Sequence, residues 1–192
     1  MVTPEEILSF WIDEVGPQGW YEGSQALDGA IKDRFGAAWQ SAQSSGSCRR
    51  WMTNPRSALA YIILMDQFPR NMFRGTAQAF ESDGIALAAA KLAIDRKWDL
   101  RVPEPERQFF YLPLMHSENL CDQERCVRLM HERMPQSGAS NLLHAKAHRE
   151  VIRLFGRFPY RNEALSRRSS TPEQDYVSHG GYGRTVEELK AG

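Results

Sequence analysis

The sequence predicts an all-α fold, and three observations lead to that prediction. None of the 192 residues falls in a sustained alternation of apolar and polar residues bounded by turn signals, the pattern of a half-buried strand. Apolar residues recur instead at spacings of three and four, as they do along one face of a helix. Several of these runs open with Thr or Asn followed by Pro, a common helix start. We therefore expect roughly eight or nine helices, packed as antiparallel hairpins.

The first two helices are predicted from a cap and from periodicity. Residues 3–6 read Thr-Pro-Glu-Glu, a capping box that opens a helix to about Val15, where Gly16-Pro17 ends it. Apolar residues from 27 to 39 then predict an amphipathic helix that ends near Ser44-Ser45-Gly46. The first helix is apolar on more than one side, which indicates burial on more than one side.

The middle helices are predicted from prolines, alanines and caps. Asn54-Pro55 opens a largely apolar central helix, and Thr76 opens a long alanine-rich one. Pro105 falls in the first turn of the next helix. Asp122 is expected to cap another, and residues 142–155 predict one more.

The end of the chain gives weaker signals. Thr171-Pro172 repeats the opening cap and predicts one short helix. After about Ser178 the tail is expected to be weakly ordered, with a last helical turn or two from Thr185 to Lys190. We expect residues 1–192 to form a single all-helical domain, since their number suits one core.

Composition excludes several classes of function. Lys plus Arg and Asp plus Glu number 24 each, so the overall basic field that drives nucleic-acid binding is missing. The first residues do not resemble a signal peptide, and no apolar run has membrane-spanning length, so we expect a soluble, cytoplasmic protein without a membrane partner. The three cysteines fit no zinc-binding spacing and are expected to be reduced packing residues, with no metal.

Two similar segments organise the candidate site. We call Asp66–Asn71, which reads Asp-Gln-Phe-Pro-Arg-Asn, the first Arg-Asn segment. Gly156–Asn162, which reads Gly-Arg-Phe-Pro-Tyr-Arg-Asn, is the second. In each, an apolar helical run meets a proline, which donates no backbone hydrogen bond, so the helix is expected to stop there. Each predicted helix exit then carries a guanidinium and an amide, which suit either helix carbonyls or a bound ligand.

Four stretches of the chain together resemble a bacterial family, the domain of unknown function 924. They are Phe10-Trp11, Asp66–Asn71 with Arg74-Gly75, Tyr111–Glu118 and Phe155–Asn162. The resemblance covers most of the chain and implies an all-helical fold similar to tetratricopeptide-repeat proteins. It implies no activity, catalytic residue or partner. The chain departs from the family pattern at Ser166, where glycine is usual, and beyond Ser178.

The candidate ligand-binding residues come from the two segments and from polar positions expected near them. They are Asp66, Arg70, Asn71, Arg74, His116, Glu118, His148, Arg157, Arg161 and Asn162. If both segments face one cleft, the guanidinium groups suit a small anionic ligand, because their forked donors match carboxylate and phosphate. In the structural alternative, nearby carboxylates neutralise the arginines and the asparagines satisfy backbone ends. The structural role is favoured for most of them, since ion-pair networks imitate functional sites.

Histidine patterns suggest chemistry without defining it. His116 and Glu118 pair an imidazole with a carboxylate, as in general acid-base catalysis, but residues two apart point to different faces of a regular helix. His144 and His148 are four apart, yet no adjacent glutamate or third ligand completes a metal site. No glycine-rich loop of the phosphate-binding kind is present, so no nucleotide cofactor is expected.

Three functions remain open from the sequence. The leading hypothesis is a binding module that holds a small anionic molecule or a peptide segment in a groove lined by both Arg-Asn segments. The second is an enzyme acting on a small anionic metabolite, with His116 or His148 transferring a proton and a carboxylate orienting the imidazole. The third is a scaffolding or self-associating protein with an exposed apolar patch, for which the Trp20-Tyr21 loop is the candidate.

Overall fold

The structure is a computed structural model that describes residues 2–45 and 47–191, so Gly46, where the second helix was expected to end, lies outside it. Within these residues we count nine helical segments and no strand, which confirms the all-α prediction. The helices are α1 (4–19), α2 (Gln25–Ser45), α3 (55–72), α4 (Asp83–Asp95), α5 (Leu112–Met115), α6 (Leu120–Arg133), α7 (Ala139–Phe155), α8 (Thr171–Ser178) and α9 (Gly181–Ala191). Among the described residues, no helix is long and apolar enough to cross a membrane.

The chain forms two compact units, Met1–Pro113 and Leu114–Gly192. The expectation of one domain over residues 1–192 stays a prediction. All five tryptophans belong to the first unit and all five histidines to the second. The two units therefore differ in the chemistry of their side chains as well as in their helices.

The core of the first unit is an aromatic cluster between α1, α2 and α3. The Phe68 ring centroid lies 4.9 Å from that of Phe35 and 5.5 Å from that of Trp11, and all three side chains are buried. Trp20 is also buried and donates its indole N–H to the Trp11 carbonyl over 2.7 Å. The Trp20-Tyr21 loop therefore exposes only the tyrosine of the pair.

The predicted start of α1 is confirmed, and its backbone breaks at Gly16, where the sequence predicts that the helix ends. Thr3 and Glu6 form the expected capping box, with the Glu6 carboxylate accepting from the Thr3 N–H over 2.7 Å. After Pro4–Leu8 the helix widens into a π-helical stretch, Ser9–Val15. The backbone then turns at Gly16, whose φ is +66°, and a single α-turn, Gly16–Gly19, follows.

The prediction that the first Arg-Asn segment is a helix exit was wrong. α3 runs as Pro55–Ile62, then as a π-helical stretch, Ile63–Gln67, and continues through the proline as Phe68–Met72. In a regular α-helix the Met65 carbonyl would require an N–H from residue 69, which proline lacks. Here that carbonyl accepts a hydrogen bond from the Ser82 hydroxyl over 2.6 Å, and the wide turn carries the helix past the ring.

Three other predicted helices differ in their starts. The alanine-rich run after Thr76 is divided into a 3-10 turn, Ala77–Phe80, and α4, because Ser82 turns inward between them. Pro105 precedes a 3-10 turn, Glu106–Phe110, rather than an α-helix. The cap of α6 is Asn119, whose Oδ1 accepts from the Cys121 N–H over 2.9 Å, and not Asp122.

The second unit is built around α7, which packs against α6 and α9. α7 ends at Gly156, whose left-handed φ of +70° and N–H to the Ile152 carbonyl close the helix. The second Arg-Asn segment is thus a true helix exit, closed by glycine and followed by a 3-10 turn, Pro159–Arg161. Ser166 also has a positive φ, +52°, which explains why glycine suits that position.

The tail after Ser178 has more structure than was expected. α9 spans Gly181–Ala191, with Val186 buried and Tyr182 partly buried. Tyr182 packs on the hydrophobic cluster of Val151, Ile152 and Phe158. The glycine-rich start of this helix predicts weak order, but the apolar residues of the helix pack against α7.

Candidate functional site

In the first Arg-Asn segment, Asp66 and Arg70 form part of a buried ion-pair network. Arg70 donates to the Asp83 carboxylate over 2.8 Å and to the Ala79 carbonyl over 3.1 Å, and its Nη2 lies 3.6 Å from Asp66. Asp66 is 1% exposed and accepts a hydrogen bond from the neighbouring Gln67 amide. The network links α3 to the start of α4, which is a structural role.

Asn71 and Arg74 meet at a carboxylate on α2. Asp28 accepts from the Asn71 amide over 3.0 Å and from Arg74 Nε over 2.7 Å. Burial raises the pKa of Asp28, but the hydrogen bonds from Arg74 and Asn71 outweigh burial and hold the pKa below its ordinary value. The end of α3 is therefore fastened to α2 through a charged contact.

In the second unit, Glu118 binds the backbone of the second Arg-Asn segment and a nearby arginine. Its carboxylate accepts from the Phe158 N–H over 2.8 Å and from both terminal nitrogens of Arg167, over 2.7 and 2.9 Å. Burial raises the pKa of Glu118, but the hydrogen bonds from Arg167 and Phe158 outweigh it and leave the pKa below its ordinary value. Arg167 was not among the candidates predicted from sequence, because it follows the second Arg-Asn segment and its contact with Glu118 depends on the fold.

Arg157 and Asn162 are also engaged by local partners. Arg157 Nε donates to Glu173 over 2.6 Å, and hydrogen bonds from Arg157 and Ser170 lower the pKa of that carboxyl far below its usual range. Asn162 donates its amide to Ser169 over 3.1 Å and accepts from Arg167 over 3.0 Å. Both candidates hold the loop between α7 and α8 in place.

Arg161 brings the segment to the histidines. It donates to the His116 carbonyl over 3.1 Å, and its guanidinium carbon lies 4.4 Å from the centroid of the Phe158 ring. The His148 ring packs edge-on against the same phenylalanine at 5.3 Å, and the His116 and His148 centroids are 6.5 Å apart. The candidates His116, His148 and Arg161 therefore come together within the second unit.

Tyr182 joins this group from α9, and its role was missed in the sequence. Its hydroxyl lies 2.6 Å from His144 Nδ1 and 3.1 Å from His148 Nδ1, and His148 Nδ1 lies 2.9 Å from the His144 carbonyl. Burial, with smaller contributions from nearby positive charges, lowers the pKa of His148 to about 3. Burial raises the pKa of Tyr182, so the phenol keeps its proton. The glycine-rich sequence of the tail predicted little structure there, so this contact was not expected.

The structure thus groups the candidates by unit. Asp66, Arg70, Asn71 and Arg74 belong to the first unit, and the remaining six candidates belong to the second. The hypothesis that both segments line one cleft stays a prediction. We define the histidine-arginine cluster as five residues of the second unit: His116, His144, His148, Arg161 and Tyr182.

Two clefts, one in each unit, lie apart from the candidates. A cleft of about 520 Å³ lies in the second unit between α7, α8 and α9, with Leu154, Tyr176 and Arg184 in its lining. A groove of about 430 Å³ in the first unit is lined mainly by apolar residues of α4 and by Tyr61. Neither lining includes any of the ten candidate residues.

Metal-ligand geometry is missing from the described part of the chain. No three His, Cys, Asp or Glu side chains in residues 2–45 and 47–191 come together as a metal site requires. None of the three described cysteines, Cys48, Cys121 and Cys126, forms a disulfide. Burial raises the pKa of the Cys126 thiol, which makes it a packing residue rather than a nucleophile.

The fold and this cluster define a helix-only protein with a concentrated group of imidazole, phenol and guanidinium side chains. Residues 7–181 match the family described as bacterial protein of unknown function, DUF924, and the chain belongs to that family. A protein of unknown function from Agrobacterium tumefaciens has a solved structure similar to this one. It is 38% identical, the match covers 92% of this chain and 97% of that chain, and the TM-score is 0.85. No curated protein matches the chain.

Proposed function

We propose that the protein binds a small anionic molecule, and that the histidine-arginine cluster of the second unit is its binding surface. One observation carries the proposal: the Arg161 guanidinium and the partly buried His148 imidazole both lie against the Phe158 ring, and the His116 imidazole lies beside that of His148. A guanidinium suits a carboxylate or phosphate group. Tyr160 is 40% exposed and stacks on Phe158, whereas Arg161 itself is buried.

The other candidate arginines have structural ion-pair partners. Arg70, Arg74 and Arg157 each lie within 2.8 Å of a carboxylate oxygen. The structural interpretation is thus favoured for the first Arg-Asn segment and for Arg157. A groove lined by both segments would extend the proposal to the first unit. The contacts within each unit give no support for that extension.

An enzyme with acid-base chemistry is the second candidate function, and a specific observation favours it. His144, Tyr182 and His148 form a hydrogen-bonded chain beside Arg161, and strongly shifted pKa values are common at catalytic sites. The orienting group differs from the carboxylate expected from sequence. For His148 it is the His144 carbonyl together with a phenol, while Glu118 is held by Arg167.

Two other expectations remain as predictions. A peptide segment as ligand, and self-association without a ligand, are both compatible with the apolar lining of the clefts, but nothing in the contacts favours either one. A cytoplasmic location likewise stays a prediction from the sequence.

Histidine side-chain NMR tests the proposal directly, since the chain has only five imidazoles. Inorganic phosphate and succinate are titrated into the protein at pH 7 while the ¹⁵N and ring-proton shifts are recorded, with assignments from single His→Gln variants. We expect saturable shifts at His116 and His148 and little change at His131 and His179. Arg161→Gln should weaken the response at least tenfold, because the charged partner is lost.

Two matched variants separate binding from folding. Arg184→Gln removes an exposed guanidinium that pairs with Glu188 in the same unit, and it should leave the titration unchanged. Arg161→Lys keeps the charge and should retain part of the affinity. Shifts that do not saturate, or that survive Arg161→Gln in a folded protein, would contradict the proposal.

A further inference from the structure

We infer that the first unit holds a further binding site, a groove along α4 that binds an aliphatic carboxylate. Arg49 pairs with the carboxylate, the Tyr61 hydroxyl donates a hydrogen bond to it, and the apolar wall covers the alkyl chain. We call this site the α4 groove, and its volume is about 430 Å³. It belongs to the first unit and the histidine-arginine cluster to the second, so neither proposal depends on the other.

The wall of the α4 groove is apolar because one face of α4 carries small and aliphatic residues. Gly84, Ala88 and Leu92 are spaced four apart, so they line up along the helix. Ile85 and Ala89 lie beside them in the same lining. An added Cβ at Gly84 would meet no atom within 4 Å, and Leu92 is 40% exposed. This face of α4 therefore leaves open space for an alkyl chain.

The 3-10 turn Ser47–Trp51 brings a positive charge to the groove. Its Cys48 and Trp51 side chains are buried, and the Trp51 carbonyl accepts a hydrogen bond from the Ser57 hydroxyl over 2.5 Å. The turn is therefore fixed to the start of α3. Arg49 is exposed and lines the groove, and its guanidinium has no ion-pair or hydrogen-bond partner within the described part of the chain.

Tyr61 is the residue that points to a ligand. Its side chain lines the groove and is only 2% exposed, yet no hydrogen bond joins its hydroxyl to another residue in 2–45 or 47–191. Buried hydroxyls are nearly always hydrogen-bonded, because an unsatisfied one costs free energy. The accessible part of Tyr61 faces the groove, so an acceptor bound there would satisfy the hydroxyl.

These two polar groups define the head of the ligand. Burial raises the pKa of Tyr61, and the positive charge of Arg49 offsets that rise only in part, so the phenol stays protonated at neutral pH. A guanidinium only donates, and the phenol has a proton to donate, so both groups suit an acceptor. A carboxylate is such an acceptor and carries the charge opposite to Arg49. The groove lining contains no Asp or Glu that would repel it.

The first experiment uses octanoate as the probe, butyrate as its short analogue and octanol as its uncharged analogue. Isothermal titration calorimetry at pH 7 measures the affinities, and the methyl NMR shifts of Ile85 locate the site. We expect saturable octanoate binding at least tenfold tighter than butyrate binding, because the longer chain buries more apolar surface. Equal affinities, or octanoate binding that leaves the Ile85 methyl shifts unchanged, would overturn the inference.

The second experiment fills the groove. Gly84→Leu places a side chain in the open space and should abolish octanoate binding. The matched control is Gly29→Leu on α2, because an added Cβ there also meets no atom within 4 Å and Gly29 does not line the groove. Circular dichroism checks that both variants fold. Octanoate binding that survives in folded Gly84→Leu, or that is lost equally in Gly29→Leu, would contradict the assigned site.

The third experiment tests the two polar groups. Arg49→Gln should weaken octanoate binding about fivefold and leave octanol binding unchanged, because only the carboxylate is charged. Arg101→Gln removes an exposed arginine of the same unit outside the lining, so it should bind octanoate as the wild type does.

Tyr61→Phe should also weaken octanoate binding about fivefold, yet it should not lower the temperature of unfolding, because the hydroxyl has no described partner to lose. A less stable Tyr61→Phe protein would show that the hydroxyl is structural. That result, or wild-type octanoate affinity in both Arg49→Gln and Tyr61→Phe, would overturn the assignment of the ligand class.

Discussion

The two Arg-Asn segments share a sequence pattern but differ in backbone. In the first, the helix passes through Pro69 because a π-helical turn precedes it and Ser82 satisfies the Met65 carbonyl. In the second, the helix ends three residues before Pro159, at Gly156 with its left-handed φ. A proline after an apolar run therefore does not decide where a helix ends. The helix ends where a glycine precedes the proline. It continues where another group donates a hydrogen bond to the carbonyl that the proline cannot satisfy.

The polar groups of the two segments differ in the same way. Arg70 of the first segment, and Arg74 shortly after it, bind neighbouring helices through Asp83 and Asp28. In the second, Glu118 and Arg167 hold the loop, and Arg161 extends to the histidines. Similar residues thus serve helix packing in one unit and a candidate site in the other. Four predictions, from the largest effect to the smallest, test this difference.

Asp66→Ala should produce the largest loss of stability in the first unit. Its carboxylate is 1% exposed, and its removal leaves the Gln67 amide and part of Arg70 buried without that acceptor. We expect a loss of about 3 kcal/mol in the free energy of unfolding. Tryptophan fluorescence during urea unfolding measures it, since every tryptophan lies in the first unit. Asp83→Ala, which removes the more exposed partner of Arg70, should cost about 1 kcal/mol; equal losses would contradict a network centred on Asp66.

Mild acid should weaken the second unit. The folded pKa of His148 is lowered from 6.5 to about 3, so the unfolded chain takes up this proton first as the pH falls. Stability is complete above pH 6.5 and is lost as the pH falls toward 3, at about 1.4 kcal/mol per pH unit. The lowered pKa of His144 acts in the same direction. The low pKa values of Glu118 and Glu173 add losses only below about pH 4.5.

Urea unfolding followed by circular dichroism at pH 6.5, 5.5 and 4.5 measures this effect. His148→Gln should flatten the slope between those values, because the proton acceptor is gone. His131→Gln is the matched control, and the wild-type slope should persist in it. A slope unchanged by His148→Gln would show that this imidazole does not resist protonation.

Ser82→Ala tests how α3 passes its proline. The hydroxyl is fully buried between the Met65 carbonyl, to which it donates, and the Trp39 indole N–H, from which it accepts over 3.0 Å. Losing both bonds should cost about 2 kcal/mol. Thr76→Ala removes an exposed hydroxyl that donates to the Phe73 carbonyl near the end of the same helix, and it should cost less than about 0.5 kcal/mol. Comparable losses would mean that burial at Ser82 does not matter.

Gly156 and Ser166 should respond to substitution with opposite signs. Gly156→Ala places a side chain at a φ of +70°, with no atom within 4 Å of the new Cβ, so the backbone alone should cost about 1 kcal/mol. Ser166→Gly relieves a φ of +52° and should add about 0.5 kcal/mol. Thermal unfolding followed by circular dichroism measures both. Two changes of the same sign would contradict the backbone explanation.

The sequence predicted the helices better than their connections. The caps at Thr3 and Asn54 were found because each puts a side-chain acceptor and a proline in adjacent positions. The continuation of α3 was not predictable, because the donor that rescues the Met65 carbonyl lies 17 residues away, at Ser82. A helix limit that depends on a distant hydroxyl leaves no local pattern.

The candidate site was predicted in part. His116, His148 and Arg161 were named from sequence, and the structure brings them together. Arg167 and Tyr182 were missed, because the first lies in an irregular loop and the second in a glycine-rich tail. Their partners are 49 and 34 residues distant in the chain, so only the fold reveals them. Residue types led to three members of the cluster, and only tertiary packing reveals the others.

The wide turn at Ile63–Gln67 also bears on how relatives are aligned. A π-helical turn holds one more residue than an α-turn, so a sequence lacking that residue would rotate everything after it by about 100° around the helix axis. The arginines after this turn would then no longer lie next to the carboxylates that they contact in this protein. A single-position gap within residues 63–67 of a homologue would thus mark a protein whose third helix contacts its neighbours through different side chains.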